Sequence, residues 1–245
     1  MTFIRGHIIE LKPNNKQATH FKKACGVARF AYNWALAEWQ SQYEADKTYR
    51  DDCKKLDLPI DKNKLNNPNE CNLRKQLNAI KREKFPFMLD VTKCAPQFAI
   101  MQLGNAFKRF LKGESKYPQF RKKGENERFS LSNDKFKLLN INNKPFIQVP
   151  KLGLVRMCEN IRFNGKILSA KIFTKGNKWF VSIAVELKSV IKLAQKTNKS
   201  IGLDLGIIDL AVLSNGEKVK APKPLKAKLV KLKRLNRTLS RKQKG

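Results

Sequence analysis

Acidic residues are scarce in this chain: 20 Asp and Glu stand against 52 Lys and Arg, a formal charge of +32 over 245 residues. After Glu217 there are none. Such an excess is self-repelling unless a polyanion neutralises it, so nucleic acid is the first expected partner class. A membrane surface is the second, but no apolar run approaches the roughly 18 residues of a spanning helix. The opening residues Met1-Thr2-Phe3-Ile4-Arg5-Gly6-His7 also lack the apolar core of a secretory signal. No C-x-x-C pair is present, and the cysteines (25, 53, 71, 94 and 158) are odd in number. They read as reduced thiols of a cytoplasmic protein, with no zinc site in this chain.

What the chain does have is length for two domains and two kinds of periodicity. His7-Ile8-Ile9-Glu10-Leu11 reads as a short strand ended by Pro13-Asn14-Asn15. Phe21, Cys25, Ala28, Tyr32, Ala35, Trp39 and Tyr43 then recur at steps of three or four, one apolar stripe on a helix of roughly seven or eight turns. Lys22, Lys23 and Arg29 fall off the stripe, facing either a phosphate backbone or plain solvent. Residues 50–70 are polar and read as a linker. A second helix is expected over 72–84, stopped by Phe85-Pro86, and a third over 96–111, begun near Pro96 and ended by Gly113.

From residue 128 the period changes to alternation. Short strands are expected at 129–131, 136–138, 146–149 and 152–155, and a hairpin over 167–187 turning at Gly176-Asn177. Strands at that spacing suggest a small β-barrel. Residues 188–199 form a polar linker. Beyond Glu217, Leu225, Leu229, Leu232, Leu235 and Leu239 mark a basic amphipathic helix. Its apolar face wants a partner, and its basic side suits phosphates; calmodulin-type or membrane-surface binding is the rival reading.

The most informative stretch is Ile201-Gly202-Leu203-Asp204-Leu205-Gly206, followed by Ile207-Ile208-Asp209-Leu210-Ala211-Val212-Leu213 and the turn signal Asn215-Gly216. It reads as a buried strand, a tight turn and an antiparallel return. A carboxylate inside an apolar strand calls for a metal or another counter-charge; the plainer alternative is an Asp capping a turn. The pattern occurs at the first strand of actin-like ATPases and sugar kinases, and at that of RNase H-like nucleases. Ile207-Ile208 in place of a Thr or Ser pair, the late position and the basic preceding residues favour the nuclease.

Three stretches carry a wider resemblance. They are Arg-Phe-Ala-Tyr-Asn-Trp-Ala-Leu at 29–36, Ala-Phe-Lys-Arg-Phe-Leu at 106–111 with Tyr-Pro-Gln-Phe-Arg-Lys-Lys-Gly at 117–124, and the Asp204 hairpin. In that order they resemble the TnpB (OrfB) proteins of bacterial insertion sequences, compact relatives of type V CRISPR nucleases. The resemblance implies an α+β fold: a helical recognition lobe inserted into a small β-barrel (wedge) domain, then the start of an RNase H-like (RuvC) α/β domain. The implied boundaries are 1–14 for the first barrel strand, 15–124 for the recognition domain, 125–190 for the rest of the barrel and 199–245 for an incomplete RuvC segment. Family members pair a guide RNA with target double-stranded DNA, and RuvC cuts with Mg²⁺; no membrane is involved, and the setting is the bacterial cytoplasm at the nucleoid. Delegating sequence to base pairing suits a basic protein that grips backbones.

On that resemblance Asp204 is the catalytic carboxylate and Mg²⁺ ligand. RuvC chemistry needs further carboxylates, and only Asp209 and Glu217 follow it, neither in a matching position. An RNase H-like domain also needs about a hundred residues. A C-terminally truncated member is therefore expected, one that binds guide and target but does not cut. A nuclease-dead binder acting by occupancy, repressor-like, is the alternative; a generic basic RNA-binding protein is a third. Arg29, Arg121, Lys122, Lys123, Lys231, Lys233 and Arg234 are the expected phosphate contacts. Tyr32 and Trp34 are either base-stacking or core residues.

Overall fold

The structure, a computed structural model, describes residues 2–188 and 200–242. The chain divides into two compact units, Met1–Val190 and Ile191–Gly245. The linker expected over 188–199 lies, Lys188 apart, outside the described residues.

The first unit is α+β. Strand β1 (Thr2–Lys12) leads into helix α1 (Asn15–Lys55). The turn between them is fixed by a reciprocal cap: Asn14 Oδ1 accepts from the Gln17 N–H at 2.9 Å, and Gln17 Oε1 accepts from the Asn14 N–H at 3.0 Å. Phe21, Cys25, Ala28, Tyr32 and Ala35 are buried as the stripe requires, whereas Tyr43 is 55% exposed. The helix nevertheless runs on to Lys55. Its last turns are solvated on most sides, so they show no apolar period; Asp46 anchors them instead, and the terminal Lys54 and Lys55 suit the carbonyl end of the dipole. The expected linker shrinks accordingly. Helix α2 (Glu70–Lys84) is capped by Asn69, which accepts from the Cys71 and Asn72 N–H groups. Helix α3 (Cys94–Leu111) ends where Gly113 takes a φ of +73°. Gly104 lets α2 approach α3, since a Cβ there would sit 2.8 Å from Glu70 Cβ.

Six further strands complete one antiparallel sheet: β2 (Arg128–Ser132), β3 (Lys137–Ile141), β4 (Lys144–Val149), β5 (Gly153–Met157), β6 (Lys166–Lys175) and β7 (Lys178–Lys188). Their order is β2-β6-β7-β1-β5-β4-β3. Strand β1 pairs with β7 from Thr2↔Lys188 to Leu11↔Trp179, so the chain's beginning lies in the middle of the sheet. The barrel expected from strand spacing is not closed: edges β2 and β3 share no ladder among the described residues. The sheet must still curl. Laid flat, seven strands put their edges about 29 Å apart, yet only residues 133–136 separate β2 from β3, a reach of about 18 Å at most. A 3-10 turn at Asn133–Lys135 spans that gap in place of a hydrogen-bonded seam.

Helices and sheet share one apolar core. Phe21 of α1 meets Phe129 and Trp179 at ring separations of 5.8 and 5.0 Å, and α1 and α3 both pack on β2. Burial of such side chains contributes about 1.5–3 kcal/mol each.

The second unit holds β8 (Leu203–Asp204), β9 (Asp209–Leu213), β10 (Lys218–Lys220) and helix α4 (Pro224–Ser240), with strand order β10-β9-β8. The antiparallel return is as expected; its register sets Asp204 opposite Val212, and Gly216 turns the chain at φ +89°. Burial is not. Leu203 is 58% and Ile207 94% exposed, and Ala211 is the one buried residue of this unit among those described. Three short strands and a helix bring too little surface to cover an apolar strand on both faces. The Leu face of α4 is equally open, with Leu229 51% and Leu232 52% exposed. An uncovered face of this kind predicts self-association. Leu229→Gln with Leu232→Gln should raise the soluble fraction after centrifugation several-fold with helix content unchanged; no change would mean the face is already covered in solution.

Candidate nucleic-acid interface

Three adjoining hollows form a groove across the first unit. The first, about 320 Å³, lies between α2 and the start of α3 and is lined by Arg74, Lys81 and Lys93 over Leu77 and Ile100. The second, about 330 Å³, shares Lys81, Lys93 and Pro96 with it and reaches Lys135, Pro150 and Lys151 at the sheet rim. The third, about 380 Å³, shares those last three residues and continues along Lys137 and Gln148. Local structure sets each cation. Lys81 lies in the last turn of α2, with Nζ donating to Asn78 Oδ1 at 2.6 Å. Lys151 sits at φ +65° in the β4–β5 turn, where its Nζ donates to the Leu89 carbonyl.

The groove is electrostatically one-sided. Its single acidic lining residue, Asp134, accepts from Lys135 and Ser132, and these bonds hold its carboxyl below the usual range. Arg74, Lys93 and Lys137 enter no salt bridge among the described residues. Nearby His20 is pulled down by burial, and further by the charges of Lys23 and Lys151, which outweigh the opposing Asp90. An apolar floor under a row of cations is suited to a phosphate backbone.

The cations singled out from sequence separate into two groups. Arg29 is engaged with Glu127 at 3.3 Å, both side chains half-buried, and so ties the loop before β2 to α1. Arg121 is held from four directions. Its guanidinium lies 3.7 Å over the Tyr32 ring and donates to Gln102 Oε1 at 2.9 Å; its backbone N–H and carbonyl are both bonded to the Asn33 side chain. Burial brings this guanidinium down to about 10. Tyr32 is thus core and the seat of Arg121, and Trp34 packs half-buried against the core. Lys122, Lys123, Lys231, Lys233 and Arg234 are exposed. Sequence reasoning missed the groove entirely. Its cations come from α2, the start of α3, the turn before β3, β3 itself and the β4–β5 turn, and no local pattern links them.

Asp204 lies exposed on β8. The desolvation argument for a counter-charge therefore does not apply to it here. Among the described residues no three His, Cys, Asp or Glu side chains come together to hold an ion. The described residues thus do not make up a Mg²⁺ site: Asp204 is one donor, not a donor set.

With this geometry in view, comparison with known proteins is specific. Residues 1–48 match a family model described as a helix-turn-helix domain, and residues 182–245 one described as a probable transposase. In this chain the first span is β1 followed by α1, which runs through it without a break. The "Putative RNA-guided DNA endonuclease InsQ" of Escherichia coli (strain K12) is 28% identical over 235 residues, covering 96% of this chain and 53% of that protein. A "Putative RNA-guided DNA endonuclease" of Streptomyces pristinaespiralis is 29% identical over 175 residues, 67% of this chain and 41% of that protein. Both matched models, in this order, define a transposase-type chain. The two matched spans and both relatives support its resemblance to the TnpB (OrfB) family. The chain spans about half the length of these relatives. No helix among the described residues is long and apolar enough to cross a membrane.

Proposed function

We propose that this chain is the nucleic-acid-recognition part of an RNA-guided DNA endonuclease, binding guide RNA and target duplex and presenting Asp204 as the first carboxylate of a RuvC centre. The observation that supports the reading is the groove, a continuous row of cations with one neutralised acid, in a family whose relatives are named for RNA-guided action on DNA. The division into a wedge domain (1–14 and 125–190), a recognition lobe (15–124) and a RuvC segment (199–245) belongs to the same proposal, as do phosphate contacts from Lys122, Lys123, Lys231, Lys233 and Arg234. Arg29 and Arg121 act in it as internal braces.

By itself the chain binds and does not cut, because Asp204 belongs to no cluster of three or more ligating side chains among the described residues. Purified chain, guide RNA and matched duplex in Mg²⁺ buffer should give retention without nicking, and Asp204→Ala should leave affinity within about twofold, as an exposed group outside the groove would. Cleavage abolished by Asp204→Ala would contradict the inactivity. The same lack of a donor set favours a second reading, a nuclease-dead binder acting by occupancy. The DNA following codon 245 separates the two: an in-frame continuation bearing a later Glu and Asp supports the nuclease segment, and a stop codon supports the binder.

A further inference from the structure

At the far end of α3 from the groove, a small aromatic cluster reaches the surface. Trp39 of α1 stacks on Phe107 of α3 at 4.1 Å between ring centroids. Tyr117 sets its ring edge-to-face against Phe107 at 5.5 Å and Phe110 at 5.2 Å, and its hydroxyl accepts from Gln40 Nε2 at 3.4 Å. Phe107 and Trp39 lie inward, whereas Tyr117 and Phe110 are 37% and 36% exposed. Exposed aromatic rings are ordinarily free to turn. Tyr117 is held on three sides yet leaves surface open, a pre-organised platform with little entropy left to lose. The surrounding sequence is cationic: Lys108, Arg109, Lys112 and Lys116 are exposed, and Glu114 is matched by Arg109 at 3.8 Å. Acidic helices and membrane headgroups would meet the cations but have no planar group for the rings. An unpaired nucleobase with its phosphate meets both requirements.

We infer that Tyr117, with Phe110 beside it, is a stacking site for an unpaired base of single-stranded nucleic acid, which Lys112 and Lys116 assist through phosphate. The inference rests on the nucleic-acid reading above but concerns a surface distinct from the groove: Pro96 and Phe107 are about 16 Å apart along the helix axis. Removing the platform therefore affects single strands and spares duplex.

The test uses the full chain with a mixed-sequence single-stranded oligonucleotide carrying 2-aminopurine, and a plain duplex of equal length. Wild type should quench the fluorescent base on binding. Tyr117→Ala and Phe110→Ala should each lose quenching and weaken single-strand binding roughly five- to a hundred-fold, with duplex affinity unchanged. Tyr117→Trp and Tyr117→Phe, which keep a π-face, should retain both quenching and affinity. Tyr117→Ala that binds and quenches like wild type would overturn the inference, and so would equal losses on single strand and duplex. Wild type that bound duplex but no single strand would sink the platform alone. Failure to bind either would sink the nucleic-acid reading with it.

Discussion

Reversing three groove cations together, Arg74→Glu, Lys93→Glu and Lys137→Glu, is expected to weaken duplex binding about a hundred- to a thousand-fold near 0.1 M salt. Each phosphate neutralised by a cation contributes about 0.9 to the slope of log affinity against log salt, or roughly tenfold in affinity at 0.1 M. Losing three contacts should therefore flatten the slope by about 2.7 as well as lower the affinity. The three are chosen because none enters a salt bridge among the described residues, so reversal breaks no internal pair. A matched control replaces three exposed lysines away from the groove, Lys47, Lys62 and Lys144, which also enter no salt bridge among the described residues, by Glu. It changes net charge equally and should lose far less. Equal losses would mean that bulk charge binds and the groove does not.

Asp46→Ala is expected to lower stability by about 2–4 kcal/mol, or roughly 5–15 °C in thermal midpoint for a domain of this size. Asp46 is 2% exposed on the polar end of α1. Its Oδ1 accepts from the Asn66 N–H at 2.7 Å and from Asn66 Nδ2 at 2.9 Å, and its Oδ2 accepts from the Asn67 N–H at 2.9 Å. Alanine leaves those donors without their carboxylate and frees the segment leading to α2. Burial pushes this carboxyl up, but the bonds from Asn66 and Asn67 and the charge of Arg50 outweigh it and hold it below its ordinary value of 3.8. A carboxylate depressed in the folded state contributes stability above its unfolded pKa and loses it as pH falls through the folded one. The gap between wild type and Asp46→Ala should thus be widest near neutrality and narrow below the ordinary value. A gap independent of pH would show that the ionised form is not what holds the loop.

The parts of the fold legible in the sequence are those where one face is buried and one solvated. Phe21 to Ala35 gave away α1, and alternation around Gly176-Asn177 gave away the β6–β7 hairpin with its turn. Where a segment has no buried face, periodicity is silent; hence the polar end of α1 from residue 50 read as linker. The exposed Ile4 likewise hid the first half of β1. The barrel was inferred from strand spacing, but closure depends on whether the edges meet, and the link at 133–136 contains a 3-10 turn. For Asp204 the antiparallel hairpin was legible and the burial was not, because burial is conferred by neighbouring layers rather than by the strand itself. Among 52 cations, sequence cannot tell which will meet an acid or a ring. Arg29 finds Glu127 and Arg121 finds Tyr32, while Arg74 and Lys137, unremarkable in sequence, line a groove.

RNA-guided binding requires that RNA direct this chain to DNA. The chain is to be loaded with RNA transcribed from the DNA adjoining its own gene, then offered duplexes that match or mismatch the RNA's variable end, in 0.1 M salt. Retention at least tenfold stronger on the matching duplex, lost when the RNA is omitted and when Arg74, Lys93 and Lys137 are reversed, is the predicted result. Equal retention on matching and mismatched duplexes, with or without RNA, would contradict it and leave a basic protein that holds DNA by charge alone.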